Sequence, residues 1–178
     1  GLDEQWLIPP LHAGWHKRRK SKHAECYDRV ARAFAEEIGI DPWRINPAFG
    51  VCGQINFQER TGEECLAAQV DSLLTNIRAK YKEYGVTDEP FVVVKADAGT
   101  YGMGVMTVRD SEEMRGLNRK QRNKMAVVKE GLEVSSVLIQ EGVPTFESVD
   151  GGAAEPVVYM MDRYVVGGFY RIHADRGV

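Results

Sequence analysis

The segment 91–106 constrains the fold of this chain more than any other stretch of the sequence. It reads as a buried strand that ends in Lys95, then a loop with three glycines, then a second apolar strand. The β-branched residues 92–94 favour an extended backbone, and the glycines allow positive φ and a close approach of backbone N–H groups to a ligand. A fixed lysine beside such a loop suits a phosphate clamp built on a β-hairpin.

The spacing of Gly99, Gly102 and Gly104 excludes the two commonest phosphate-binding loops. The segment lacks the Gly-x-x-x-x-Gly-Lys-Ser/Thr pattern of a Walker A loop. No helix start follows the glycines, which excludes the dinucleotide fingerprint. Two interpretations stay open, an ordinary glycine-rich hairpin with a solvated lysine and a nucleotide site. Lys95 at the end of an apolar strand favours the nucleotide site.

The first part of the chain, 1–88, is predicted to be mainly helical and could end a preceding substrate-binding domain. Apolar residues recur at helical spacing over 22–38, and Gly39 ends that helix. Its predicted buried face consists of Tyr27, Val30, Ala31, Phe34 and Ile38. A second helix starts at the capping box 61–64 and ends at Gly85. Its predicted buried stripe consists of Leu66, Val70, Leu73, Ile77 and Tyr81.

The second part, 89–178, is predicted to be rich in strands, whereas 42–60 shows no clear period. Strands are expected at 91–95, 103–108, 136–141, 156–161 and 167–173. Asp150-Gly151-Gly152 marks a hairpin turn, and the pair Gly167-Gly168 is expected to break the last strand. Antiparallel strands with helices on one face predict an α+β fold.

Composition bounds the class of protein. A chain of 178 residues can bury a core, and its net charge of −3 argues against general nucleic-acid binding. No apolar run approaches the ~20 residues that span a membrane. The three cysteines fit reduced thiols better than a disulfide framework or zinc site, as expected for a cytoplasmic domain.

Two basic runs interrupt this acidic balance, at 16–23 and 119–124. The first reads either as a solvated helix start or as an anion site for a substrate carboxylate or a phosphate. The second reads either as a solvated helix face or as a lid over a triphosphate, since lysine and arginine neutralise transferring phosphoryl charge.

The run Val-Val-Lys-Ala-Asp-Ala-Gly-Thr-Tyr-Gly-Met-Gly-Val-Met at 93–106 resembles the lysine strand and glycine-rich loop of the ATP-grasp ligases. The resemblance implies an ATP-grasp-like fold with an antiparallel sheet. It also implies that Lys95 contacts the ATP phosphates. The loop that would close over them consists of Gly99, Thr100, Tyr101, Gly102, Met103 and Gly104.

The run 137–143 resembles the hinge strand that follows the adenine in that superfamily. The resemblance implies that Gln140, Glu141 and Val143 lie beside the adenine and bind it. The bonds to the base would come from backbone groups or from an amide or acidic side chain. The resemblance also places Glu147 on the ribose hydroxyls.

Two arginines are candidates for the reacting phosphoryl group, and the resemblance favours Arg171 over Arg163. Arg171 resembles the strand arginine that many ATP-grasp enzymes aim at a phosphate or at the acyl-phosphate transition state. The alternative is a surface arginine paired with Glu155 or Asp162.

Four longer runs, at 9–16, 52–60, 117–125 and 162–173, resemble the proteobacterial glutamate–cysteine ligases of ATP-grasp type. The resemblance implies Mg-ATP-dependent joining of the γ-carboxylate of glutamate to the amine of cysteine through an acyl-phosphate, the first step of glutathione synthesis. Another ATP-grasp carboxylate–amine ligase and a non-catalytic nucleotide-binding fragment stay open.

The magnesium ligands of ATP-grasp ligases include a late Glu-x-Asn pair, and the chain contains none after Ile172. We therefore expect no metal ligand in this chain and expect the Mg²⁺ ligands beyond Val178. On this interpretation the chain is an interior part of a longer ligase, and its oligomeric state is left open.

Overall fold

The structure is a computed structural model that describes residues 10, 12, 18–99, 104–126, 133–144 and 146–173. Helices in the described part are α1 (Lys20–Ile38), α2 (Glu63–Tyr84), α3 (Glu112–Arg115) and α4 (Arg119–Ala126), with a 3₁₀ turn at Pro42–Arg44. The strands are β1 (Phe49–Gly53), β2 (Val92–Ala96), β3 (Val105–Val108), β4 (Ser136–Glu141), β5 (Ser148–Val149), β6 (Gly152–Met161) and β7 (Tyr164–His173). The predicted α+β class is confirmed.

The chain forms two compact units, Gly1–Gly142 and Val143–Val178. The first contains a four-stranded sheet in the order β1-β4-β2-β3, in which every neighbouring pair is antiparallel. Its first strand comes from the stretch 42–60, for which the sequence predicted no strand. Two glycines in the run Phe-Gly-Val-Cys-Gly weaken the alternation that would reveal β1. The division at 88/89 into a helical segment and a nucleotide-binding region stays a prediction.

Helix α2 covers one face of this sheet. Its predicted stripe is confirmed, because all five side chains lie in the same buried cluster as the inward face of β2 and β4. Fully burying an aliphatic side chain of this kind contributes about 1.5–3 kcal/mol, so this layer supplies much of the folding free energy. In the described parts of the chain, no helix has the length and apolar content needed to cross a membrane.

The predicted helix ends are confirmed, but the predicted capping box at the start of α2 is wrong. Gly39 and Gly85 end α1 and α2 with φ of 69° and 68°. At the start of α2, the capping box fails because Gly62, with φ of 82°, precedes the helix and no side chain caps it. Thr61 is instead held in a two-way backbone bridge with Asn56, each N–H donating to the other carbonyl over 3.0 Å.

The predicted buried face of α1 is wrong for four of its five side chains. The large apolar side chains are between 46% and 66% exposed, namely Tyr27, Val30, Phe34 and Ile38. The fifth, Ala31, is buried as predicted, at 5% exposure, and Ala35, which the prediction did not include, is buried at 0%. The helix therefore packs through the alanine edge of its apolar stripe. Sequence periodicity finds such a stripe but does not say which edge packs.

The second unit is a three-stranded antiparallel sheet in the order β5-β6-β7. The predicted turn at Asp150-Gly151 is confirmed, with φ of 51° and 78° at these residues. The predicted break at Gly167-Gly168 is wrong, since β7 runs through both glycines with only a register shift near Tyr159. A Cβ on Gly168 would lie 2.8 Å from the carbonyl oxygen of Val157, so close strand approach explains this glycine.

Candidate functional site

Lys95 lies on the face of the four-stranded sheet opposite α2. It pairs with Leu138 of β4 and Val105 of β3, and its neighbours Val94 and Ala96 point into the core. The Lys95 side chain is half-buried, and its Nζ donates to Oε1 of Gln140 over 2.8 Å. Burial of the ammonium lowers the pKa of Lys95, a cost that a bound anion would offset.

The surroundings of Lys95 on this face are largely apolar. Because side chains alternate across a strand, Val93 shares the face with Lys95, and Leu138 shares it with Gln140. Leu138 is buried, and Val93, Gln140 and Val105 are half-buried. An apolar strip with an ammonium and an amide suits a ligand that has an apolar part and an anionic group.

The glycine loop begins shortly after Lys95, and its first glycine is Gly99. Gly99 and Gly104 have φ of 85° and 60°, which confirms that these glycines are used for positive φ. The N–H of Ala96 donates to the carbonyl of Gly104 over 2.7 Å and closes the hairpin below the loop. The predicted loop residues Thr100, Tyr101, Gly102 and Met103 lie outside the described residues.

The first limb of the loop is tied to the start of α1. Nζ of Lys20 donates to the carbonyls of Ala96, Ala98 and Gly99 over 2.7, 3.2 and 2.8 Å. Sequence reasoning missed this contact, because the partners are 76 to 79 residues apart and the run 16–23 suggested only a solvated helix start or an anion site.

Asp97 provides a second tie between the loop and α1. This buried carboxylate accepts from the N–H and the Oγ of Ser21 over 2.7 and 3.0 Å, and from Oγ of Ser136 over 3.4 Å. The backbone N–H of Lys20 donates to the Asp97 carbonyl over 3.0 Å. No sequence signal marks Asp97 as a residue of this kind.

The predicted hinge strand is β4, and its antiparallel pairing with a neighbour is confirmed. The Glu141 carboxylate turns into the unit, where Nε1 of Trp43 donates to both oxygens over 3.0 Å and the N–H of Ala48 donates over 2.8 Å. Burial raises the pKa of Glu141, against the lowering effect of these donors. This side chain therefore holds the 43–48 segment, whereas Gln140 faces the Lys95 strip.

Two further predicted ligand residues belong to the second unit. Val143 is 66% exposed. Glu147 is exposed, and its backbone carbonyl accepts from the N–H of Ala154 over 3.0 Å. Their predicted roles at the adenine and the ribose stay predictions.

The two candidate arginines are exposed and engaged locally. Nη1 of Arg171 donates to Oε2 of Glu155, its cross-strand neighbour, over 3.3 Å. The Arg163 guanidinium lies 5.1 Å from the ring centroid of Tyr164 and donates to its hydroxyl over 3.0 Å. The pairing of Arg171 with Glu155 is the contact that the alternative interpretation expected. The catalytic role of either arginine stays a prediction.

Among the described residues, no three His, Cys, Asp or Glu side chains lie close enough to hold a metal ion. The acidic residue of the late segment, Asp175, lies outside the described residues. The placement of the Mg²⁺ ligands beyond Val178 therefore stays a prediction.

Comparison with known proteins gives the family. The family model described as glutamate-cysteine ligase matches residues 1–178. The chain belongs to this family. A crystal structure from Methylobacillus flagellatus KT is 65% identical to it, with a TM-score of 0.83. That protein bears the provisional name gamma-glutamylcysteine synthetase.

The match to this structure covers 98% of the chain and 41% of the Methylobacillus flagellatus chain. The chain thus spans less than half the length of the structure it matches. A comparison with curated proteins finds no match.

Proposed function

We propose that this chain is the nucleotide-binding part of an ATP-dependent glutamate–cysteine ligase. The observation that carries the proposal is the half-buried Lys95 ammonium, which lies between an apolar sheet face and the start of a glycine loop. Membership of the glutamate-cysteine ligase family over residues 1–178 supports the choice of reaction.

An ATP-grasp arrangement is part of the proposal. The lysine strand β2, the loop hairpin with β3 and the hinge strand β4 are neighbours in one antiparallel sheet. This order would place the triphosphate at Lys95 and the loop, and the base along Val93, Leu138 and Gln140. Gln140 would release Lys95 Nζ to a phosphate oxygen or would hold the ammonium in position beside it.

The proposed reaction activates a carboxylate. The γ-carboxylate oxygen of glutamate attacks the γ-phosphorus of ATP, and the bond from that phosphorus to ADP breaks. The α-amine of cysteine then attacks the acyl carbon, phosphate leaves, and the amine loses a proton. The tasks of the protein are neutralisation of phosphate charge, in-line positioning and exclusion of water.

Lys95 and the loop would perform the first and third of these tasks. Arg171 would point at the acyl-phosphate, and Arg163 is the less favoured alternative for this role. Mg²⁺, when bound, would supply further charge neutralisation. Among the described residues, no group of three His, Cys, Asp or Glu side chains could hold this ion.

The binding part of the proposal is tested by calorimetric titration with ATP at fixed magnesium. Replacing Lys95 by Met keeps the aliphatic stem and removes the charge. The loss of a charge-assisted contact of about 1.5–3 kcal/mol should weaken binding roughly tenfold to a hundredfold. The matched control is Lys82→Met on the exposed side of α2, which should bind ATP as the wild type does.

Unchanged affinity in Lys95→Met would remove the phosphate clamp from the proposal. A phosphate-release assay with mass detection of the dipeptide then tests the reaction with glutamate and cysteine. A product from another amino-acid pair would indicate a different carboxylate–amine ligase. ATP binding without product from any pair would favour a non-catalytic nucleotide-binding role.

A further inference from the structure

We propose that Lys20 and Asp97 are positioning residues for the glycine loop. With Ser21 and Ser136 they form a loop latch, which fixes the first limb of the loop against the N-terminus of α1. The inference rests on the proposed function in one respect, namely that the loop covers a nucleotide. It assigns to the start of α1 a part in nucleotide binding that acts through the loop and not through direct contact with a phosphate.

Lys20 acts on the loop and not on a ligand. A lysine ammonium has three N–H donors. All three are accounted for by the carbonyls of Ala96, Ala98 and Gly99. A phosphate could bind this ammonium only by displacing a loop carbonyl, whereas the single bond from Lys95 to the Gln140 amide can be exchanged for a phosphate at lower cost.

Asp97 caps α1 from a distant part of the chain. The first N–H groups of a helix lack partners within the helix and favour a negative charge. Arg19 precedes α1 and makes no side-chain cap. Asp97 caps the helix in place of Arg19. Its backbone carbonyl accepts from the N–H of Lys20, and its carboxylate accepts from the N–H of Ser21.

The same residue is also fixed to the sheet. The N–H of Asp97 donates to the Ser136 carbonyl over 3.0 Å, and the Ser136 hydroxyl reaches the Asp97 carboxylate over 3.4 Å. Asp97 is therefore held from two sides, by α1 and by β4. It stands two residues after Lys95, so movement here would move the loop relative to the ammonium.

The latch lies outside the main apolar cluster. None of its four residues belongs to the buried cluster that joins α2 to the sheet. Its loss should release the loop limb while the sheet and α2 stay folded. If only a fraction of molecules then has the loop in the binding conformation, the apparent affinity for ATP falls by that fraction.

The experiment compares Lys20→Met with Lys22→Met, a matched control on the same helical turn. Lys22 is exposed, and its ammonium forms an ion pair with Glu25 of the same helix over 2.8 Å. Three quantities are measured: the calorimetric affinity for ATP at fixed magnesium, amide hydrogen exchange over 96–99, and the urea midpoint. The purified protein is used throughout.

In Lys20→Met, ATP binding should weaken about tenfold, as for a competent fraction near one-tenth. Exchange at the Asp97 amide should accelerate, while the urea midpoint should change no more than in the control. Lys20→Arg should recover part of the affinity because it restores donors to the carbonyls. If Lys20→Met fails to fold, Asp97→Asn is the second variant and should also weaken ATP binding and accelerate exchange over 96–99, with a lower urea midpoint because the amide nitrogen cannot accept the bonds made by the buried carboxylate.

The failure modes are separable. ATP binding that is equal in the wild type and Lys20→Met, or equally weakened in Lys22→Met, overturns the latch and leaves the proposed function standing. Absence of ATP binding by the wild type overturns the proposed function. In that case hydrogen exchange is the remaining test of the latch. Unchanged exchange at the Asp97 amide in Lys20→Met refutes the latch.

Discussion

Replacing Gly142 by Ala should destabilise the first unit through a clash with a single ring. Gly142 follows β4 directly and is buried, and its N–H donates to the Phe91 carbonyl over 2.8 Å. A Cβ at this position would lie 1.9, 2.2 and 2.4 Å from three carbons of the Phe91 ring. Nonbonded carbons pack at about 3.5–4.0 Å, so the ring must move by roughly 1 Å or more.

The loss of stability depends on where the Phe91 ring can move. Phe91 is 7% exposed, and the Arg109 guanidinium lies 5.7 Å from its ring centroid. Forcing an extra carbon into a packed site costs about 1–3 kcal/mol. Expelling the ring into water loses about 1.5–3 kcal/mol of burial. Both routes predict a loss of roughly 2–3 kcal/mol in the free energy of unfolding.

The measurement is urea unfolding of the wild type, Gly142→Ala and the matched control Gly53→Ala. Gly53 lies in the same sheet, and a Cβ there meets nothing within 4 Å. The control should therefore be as stable as the wild type or slightly more so. In a Phe91→Leu background the cost of Gly142→Ala should shrink. Equal stability of Gly142→Ala and the control, or an undiminished cost in that background, would refute the packing argument.

Two more predictions concern titratable groups. The bond from Lys80, with two further donors, lowers the pKa of Asp41 from 3.8 to about 2. The ionised Asp41 carboxylate therefore stabilises the folded state fully above pH 3.8, and this stabilisation is lost as the pH falls through about 2. Replacing Asp41 by Asn should remove this part of the pH dependence of the urea midpoint. Burial raises the pKa of Cys52 to about 12, and the reactive species is the thiolate. Iodoacetamide should modify exposed Cys26 and Cys65 in the native protein but Cys52 only after unfolding, and peptide mapping that finds Cys52 modified in the native protein would contradict this.

The parts of the fold that the sequence predicted are those with local signals. The lysine strand is a short run of β-branched residues, and α2 repeats its apolar residues every three to four positions. Both patterns depend only on neighbours in the chain. Strand β1 escaped because it is recognisable chiefly through its pairing with β4, more than 80 residues away. The capping box failed because the backbone bridge between Asn56 and Thr61 decided the geometry there.

The candidate site divides in the same way. Lys95 and its glycines form one continuous segment, so sequence reasoning could find them. The role of the Glu141 side chain depends on Trp43 and Ala48, and that of Asp97 depends on Ser21 and Ser136. Each of these contacts joins residues that are far apart in sequence, and no local pattern specifies them.

Pro156 affects whether the open edge of β6 can pair with a strand from a second molecule. In the second unit β5 pairs with β6 only at Gly152 and Ala153, so the rest of that side of β6 has no strand beside it among the unit's described residues. The N–H of Ala154 points to that side, where it donates to Glu147. Two residues on, the backbone of Pro156 presents the same side without an N–H. Many side chains of β6 and β7 are apolar and exposed among the residues that the structure describes, and an open strand edge can accept a strand from a second copy. The proline removes one donor from the surface on which a second copy would be added, which makes fibril formation through this strand less favourable.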